Sequence, residues 1–214
     1  DMVHERTRQL ALTQEATIHA MASLAEWRDT ETGAHIKRTQ NYVKALAVYI
    51  AQMPIYREEL DADAISWLYL SAPLHDVGKV AIADTVLHKP GPLTDEEYEA
   101  MKEHTTLGRA VLASADKFLG ENSFLRIASD IAYCHHERWD GKGYPRGVAG
   151  KDIPLSARLM SVADVYDALR SKRVYKPAMP HETAVRIIVD GRSTQFDPDV
   201  VDAFVALQEQ FRSI

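Results

Sequence analysis

Apolar residues recur along most of this chain at three- and four-residue steps, the spacing of helices that each bury one face. Ile36, Val43, Leu46, Ala47, Ile50 and Met53 follow that rhythm, and Pro54 closes the run. A second helix is predicted from about Asp63 to His75, ended by Gly78. Residues 80–94, VAIADTVLHKPGPLT, carry Pro90, Gly91 and Pro92 and read as an ordered loop. Thr94 followed by Glu97 is a capping box that starts a helix at Asp95, and this helix carries His104. Glu121 to Glu137 places Phe124, Ile127, Ala128, Ile131 and Cys134 on a core side. The next stretch, DGKGYPRGVAGKDIP at 140–154, holds four glycines and two prolines in fifteen residues, which neither a helix nor a central strand tolerates. Leu155 to Arg170 is helical again. Asp197-Pro198 supplies an N-cap and a proline at the first helical position, launching a last helix to about Phe211. No period-two run argues for a sheet, and there is no internal repeat. The class is all-α.

Residues 4–28 contain no Pro or Gly and place Leu10, Ile18, Met21 and Leu24 among polar neighbours, again helix-like. The polar start HERTRQ has little to pack against. Residues 1–23 therefore read as a connector helix entering from an upstream part, with a frayed terminus as the alternative. The domain proper is expected over 24–214.

Composition narrows the picture. The 214 residues are 46% hydrophobic and 26% charged, ordinary for a packed globular protein and too apolar for a disordered one. No apolar run is long enough to span a membrane. A single cysteine, Cys134, rules out an internal disulfide framework and fits a reducing, cytoplasmic compartment. The net charge of −6 argues against binding a nucleic-acid polymer, which would want a basic face. A phosphate substrate stays open, because bound metal ions reverse the local sign of charge.

Nine histidines are present. His4, His19, His88 and His181 sit in polar or terminal contexts and read as solvated surface residues. The other five, His35, His75, His104, His135 and His136, each stand beside a carboxylate, a glycine break or another histidine. His75 and Asp76 point about 100° apart on a regular helix, so both reach one ion only at a helix end or a distortion, which Pro73 and Gly78 offer. Adjacent imidazoles at His135 and His136, inside an apolar helix, bury a costly polar group unless a partner is supplied. Glu31 and His35 are four apart, one helix face. Asp164 lies within an apolar stretch with Asp167 one turn later, a pattern of ligand and supporting acid. Any one of these signals alone has a bland reading; jointly they put five histidines and three acids (Glu31, Asp76, Asp164) on separate helices of one bundle. Eight donors are too many for one ion, so two or three divalent ions are implied. Mixed His and carboxylate donors suit iron, manganese, zinc or nickel. Metal clusters of this kind are suited to phosphoester hydrolysis.

HDVGK at 75–79 and HHERWDGKGYP at 135–145 resemble the two signatures of the HD-GYP domain, the bacterial branch of the HD phosphohydrolases. ETGAH at 31–35, KEHTTLG at 102–108 and VADVYDALRSKRVYK at 162–176 agree in order and approximate spacing, so the resemblance covers the chain from about Leu24 onward. It implies an HD-type helical bundle that hydrolyses cyclic di-GMP to pGpG, and on to GMP, in bacterial second-messenger signalling. The metal ligands it implies are Glu31, His35, His75, Asp76, His104, His135, His136 and Asp164. It further implies catalytic roles for His75, Asp76 and Lys79, with Lys79 at the scissile phosphate; substrate contacts from Lys79, Tyr144, Arg173 and Lys176; and an orienting role for Asp167. An upstream sensory or receiver domain, and a diguanylate-cyclase-type partner at the GYP loop, are expected from the same resemblance. Two alternatives are a module acting by binding alone and a hydrolase of another cyclic dinucleotide.

Overall fold

The computed structural model of the protein describes residues 2–28, 34–118, 123–171 and 177–214. Nine α-helices lie among them: α1 (Met2–Trp27), α2 (Ala34–Ile50), α3 (Ala62–Ser71), α4 (Asp84–Leu87), α5 (Asp95–Asp116), α6 (Phe124–Cys134), α7 (Leu155–Arg170), α8 (His181–Asp190) and α9 (Pro198–Ser213). Short 3-10 turns fill Ala72–Leu74, Val77–Ala81 and Gly150–Asp152. Among the described residues, no strand forms beyond an isolated bridge between Arg192 and Phe196, and no helix is long and apolar enough to cross a membrane. The all-α expectation holds.

The main core lies where α2 and α7 meet α3, α8 and α9. Val43, Leu46, Ala47 and Ile50 of α2 pack with Leu159, Met160, Val162 and Ala163 of α7, and with Ile188 and Phe204 from α8 and α9. Tyr42 stacks on Phe211 with ring centres 4.4 Å apart, and Tyr166 meets Tyr42 edge-on. A smaller cluster of Ile18, Leu74, Leu112, Ala128 and Ala132 ties α1 to α5 and α6. Ile18 and Ala22 of α1 are thus buried against the bundle, whereas residues 2–14 are exposed throughout.

Capping follows the sequence chemistry. Asp61 accepts from the Ala64 amide at the start of α3. At α5, Thr94 and Glu97 complete the expected capping box, and at α9 Asp197 accepts from the Asp199 amide with Pro198 first in the helix.

Four expectations need correction. The second helix ends at Ser71 rather than His75, because Pro73 lacks an amide hydrogen and the chain tightens into a 3-10 turn. Residues 80–94 are not wholly loop, since Asp84–Leu87 forms one helical turn. The helix read as Glu121–Glu137 runs from Phe124 to Cys134, capped by the Ser123 side chain, so His135 and His136 lie at its C-terminal end rather than inside it. His181 is no surface residue: it is 4% exposed, and its Nδ1 lies 2.9 Å from the Tyr166 hydroxyl. His4 and His88 are exposed as expected, and half-buried His19 faces Gln40 Oε1 at 3.1 Å.

Candidate metal centre and active site

The break in the helix between Ser71 and Val77 sets the site. Ala72–Leu74 tightens to 3-10 geometry, and the chain then turns at Asp76 into a second 3-10 segment. This turn aims His75 and Asp76 the same way, so their side chains approach to 3.3 Å (Nε2 to Oδ2), which a continuous α-helix would prevent. The turn sits against α5 at Gly78. A Cβ there would come within 1.9 Å of the His104 carbonyl oxygen and 2.6 Å of the Gly108 nitrogen, so only glycine lets α5 bring His104 alongside.

Seven of the eight expected donors come together in two groups. Asp76, His104, His135 and His136 offer atoms that all lie within 4.8 Å of one another, and so do His35, His75 and Asp164. Asp76 stands between the groups. Its Oδ1 is 3.4 Å from His104 Nε2 and 3.5 Å from His135 Nε2, while Oδ2 faces His75 and lies 2.7 Å from Lys79 Nζ. Asp164 Oδ1 is 3.9 Å from His75 Nε2 and 4.0 Å from His35 Nε2. Glu31, Arg173 and Lys176 lie outside the described residues.

Whether the residues fit cations is testable from their hydrogen bonds. The Nδ1 atoms of His75, His104 and His135 face the carbonyl oxygens of Ala72, Met101 and Ile131 at 3.0, 2.7 and 3.0 Å. An Nδ1–H donated to a carbonyl leaves Nε2 as the lone-pair nitrogen. Those three Nε2 atoms and Oδ1 of Asp76 are buried without a hydrogen-bond partner and converge on one another. With the imidazoles neutral, several buried acceptors face one space, an arrangement that a cation satisfies and an apolar core does not. The donor set therefore fits divalent metal ions.

Charge is arranged to match. Burial pushes His104 down to about 4 and holds His136 well below the usual imidazole range, with neighbouring His135 adding to the effect, so both are neutral at pH 7. Burial also opposes a charge on His75, but Asp76 and Asp164 outweigh it and raise His75 to about 9 in the metal-free protein. Asp76 stays ionised against its own burial because Lys79 and His75 hold it well below the usual carboxylate range.

Asp167, expected to orient a ligand, is placed against the ring of His35. It is 1% exposed, and its Oδ2 lies 2.7 Å from His35 Nδ1, leaving His35 Nε2 turned toward the donors. Arg38 grips the same carboxylate through Nε (2.6 Å) and Nη2 (2.9 Å), and Ser171 Oγ donates to it at 3.2 Å. Sequence reasoning missed Arg38, whose signal was its place one turn after His35. It also missed Glu26, a buried acid with Oε1 4.0 Å from His35 Nε2.

The glycine-rich loop closes the other side. Glu137, the acid after the two histidines, accepts the Arg146 amide at 2.7 Å, and the Tyr144 amide donates to the His136 carbonyl. A Cβ at Gly143 would lie 2.4–2.5 Å from backbone atoms of His136, Glu137 and Arg138, so the loop folds this tightly only with glycine there. The loop base is pinned by the Trp139 and Asp140 amides donating to Gln195 and Thr194 carbonyls. Tyr144 is thereby stacked on His136, ring centres 4.7 Å apart.

The structure is thus a helical bundle with two His/Asp donor groups around a His-Asp turn, and comparison with known proteins gives it a family. The HD domain family model matches residues 10–200, and the chain belongs to that family. It is 55% identical over 214 residues to a cyclic di-GMP phosphodiesterase of Vibrio cholerae, covering 100% of this chain and 44% of that protein. It is 37% identical over 202 residues to a 3'3'-cGAMP-specific phosphodiesterase of the same organism, covering 94% of this chain and 36% of that one. The chain thus spans less than half the length of these relatives. Among solved structures, a cyclic GMP-AMP-specific phosphodiesterase of V. cholerae superposes with a TM-score of 0.64 at 18% identity, over 92% of this chain and 50% of that one, a likeness of fold.

Proposed function

We propose that the chain is a metal-dependent phosphodiesterase that opens cyclic di-GMP to linear pGpG, and pGpG further to GMP, in a cytoplasmic setting suited to its one buried thiol, Cys134. The observation that carries the reading is the convergence of unsatisfied buried Nε2 atoms of His75, His104 and His135 on Asp76, inside a chain 55% identical to a cyclic di-GMP phosphodiesterase.

His35, His75 and Asp164 would hold one ion and Asp76, His104, His135 and His136 another, with Asp76 between them; Glu31 is the proposed donor for a third. Iron or manganese suits this donor set best. Bound there, divalent ions supply Lewis acidity toward the phosphoryl oxygens and lower the pKa of coordinated water.

The remaining steps fall to the chain's own groups. Lys79, held 2.7 Å from Asp76 Oδ2, brings a cation beside the donor groups, where it stabilises charge on the scissile phosphate and hydrogen-bonds the departing 3′ oxygen. Tyr144, fixed by its stacking on His136, offers a flat apolar surface to a base. Its hydroxyl stays protonated at neutral pH, since burial raises it beyond the ordinary tyrosine range. Arg173 and Lys176 are the proposed contacts to the rest of the dinucleotide.

Asp76→Ala removes the carboxylate shared by both groups. The expected outcome is loss of cyclic di-GMP hydrolysis by at least a thousandfold, with helical circular dichroism retained. Turnover within tenfold of wild type in a sample of verified metal content would defeat the assignment. A second reading, hydrolysis of 3',3'-cyclic GMP-AMP, is favoured by the relative that is 37% identical, and parallel assays on both dinucleotides separate the two.

A further inference from the structure

Two residues of α5 stand next to the donor cluster without a role in the fold. Tyr98 and Lys102 are four apart and share one face of the helix, on the N-terminal side of His104. Lys102 Nζ lies 5.4 Å from the ring centre of Tyr98 and 5.7 Å from that of Tyr144. The two tyrosine rings meet edge-on, their centres 6.2 Å apart at 78°. Tyr144 stacks in turn on His136, one of the donor histidines. A row therefore runs outward from the donors through Tyr144 to Lys102 and Tyr98.

The outer members of that row are not explained by packing. Tyr98 is 47% exposed, a large aromatic face turned to solvent. Lys102 pairs with Glu99 Oε1 at 2.6 Å, but Glu99 is 69% exposed, and such a surface pair contributes little. A half-exposed aromatic with a cation beside it is the pairing that nucleotide-binding surfaces use, the ring for a base and the ammonium for a phosphate.

We propose that Tyr98 and Lys102 form a subsite for the half of the substrate that is not being cleaved: a purine base lies against Tyr98 in the angle it makes with Tyr144, and Lys102 Nζ contacts the second phosphate. This rests on the cyclic-dinucleotide reading above and extends it to residues outside the HD and GYP motifs. The chemical class recognised is a purine nucleotide unit carrying a phosphodiester. A small aryl phosphodiester, with no second base or phosphate, would not reach the subsite.

The test compares cyclic di-GMP with bis(p-nitrophenyl) phosphate on metal-loaded wild type, Tyr98→Ala, Tyr98→Phe, Lys102→Met and Lys102→Arg. Tyr98→Ala and Lys102→Met are each expected to raise KM for cyclic di-GMP about tenfold, shifting the ratio of kcat/KM between the two substrates by the same factor toward the small ester. Tyr98→Phe, which keeps the ring, and Lys102→Arg, which keeps the charge, restore KM to within threefold of wild type. Lys102→Met also flattens the dependence of KM on salt. Metal content and circular dichroism establish that each variant is folded and loaded. An unchanged KM overturns the proposal, and so does an equal fall on both substrates, which would mark a structural effect on the centre. Wild-type protein that cleaves the nitrophenyl ester but neither cyclic dinucleotide would instead overturn the substrate reading on which the proposal stands.

Discussion

Asp167 takes no part in either donor group, yet it holds His35 on one side and Arg38 on the other. Burial alone would raise its carboxyl; the bonds from His35 and Arg38 prevail and lower it to about 2. A carboxyl depressed in the folded state contributes stability that is present above its unfolded value near 4 and is lost as pH falls through about 2. The depression corresponds to about 2 kcal/mol. Asp167→Asn is therefore expected to lower the unfolding free energy by about that amount at pH 7 and to remove the matching part of the pH dependence between 4 and 2. Urea unfolding at pH 7 and pH 3 measures both, and equal stability of the two proteins at pH 7 would refute the account of Asp167.

His75 carries a prediction of opposite sign. Raised to about 9 in the metal-free protein, it is protonated at neutral pH and must lose that proton to bind a cation. Metal binding should release about one proton per chain at pH 7.5, and apparent affinity should climb as pH rises toward 9. Calorimetry in buffers of differing ionisation enthalpy counts the proton; no buffer dependence would mean that His75 is not displaced by metal.

At the level of elements, the close approach of the His75-Asp76 turn to α5 is set by Gly78. Gly78→Ala forces the turn away from the His104 carbonyl, so it should cost about 1–3 kcal/mol, as overpacking does, and reduce metal content. Gly143→Ala lies in the loop outside the bundle core. It is expected to displace Tyr144 and raise KM for cyclic di-GMP with a smaller effect on melting temperature than Gly78→Ala. Equal melting temperatures for the two variants would contradict that division.

These elements also show what sequence reading reaches. The rhythm of α2, the capping box of α5, the bounds of α7 and the N-cap of α9 were legible because each depends on residues a few positions apart. The donor histidines were legible because each stood beside an acid, a glycine or another histidine. Arg38 and the true setting of His181 were not, because their partners, Asp167 and Tyr166, come from α7, more than a hundred residues after Arg38 and fifteen before His181. The end of the α-helix at Ser71 was not read because a 3-10 turn of three residues leaves no periodic trace, although Pro73 marks the place. The helix α8 went unread although Pro180 and Gly191 bracket it.

For the whole molecule, the donors draw on α2, α5, α6, α7 and the turn after α3, so the site exists only when the bundle is assembled. A cation that binds the folded chain and not the unfolded one stabilises it by mass action, about 2.7 kcal/mol at a hundredfold excess over Kd. Stripping the metal with a chelator should lower Tm by several degrees and readdition should restore it; a Tm indifferent to metal would mean that no folded-state site is being filled. The net charge of −6 fits the same proposal, since bound divalent ions would supply local positive charge for an anionic substrate in an acidic protein.

The most direct measurement of the central claim is metal content by mass spectrometry on anaerobically purified protein, with a cyclic di-GMP turnover assay on the same sample. The account predicts two or three iron or manganese ions per chain and the appearance of pGpG followed by GMP. Protein that binds no metal after reconstitution with either ion, or that carries a full complement and cleaves no cyclic dinucleotide, would contradict it.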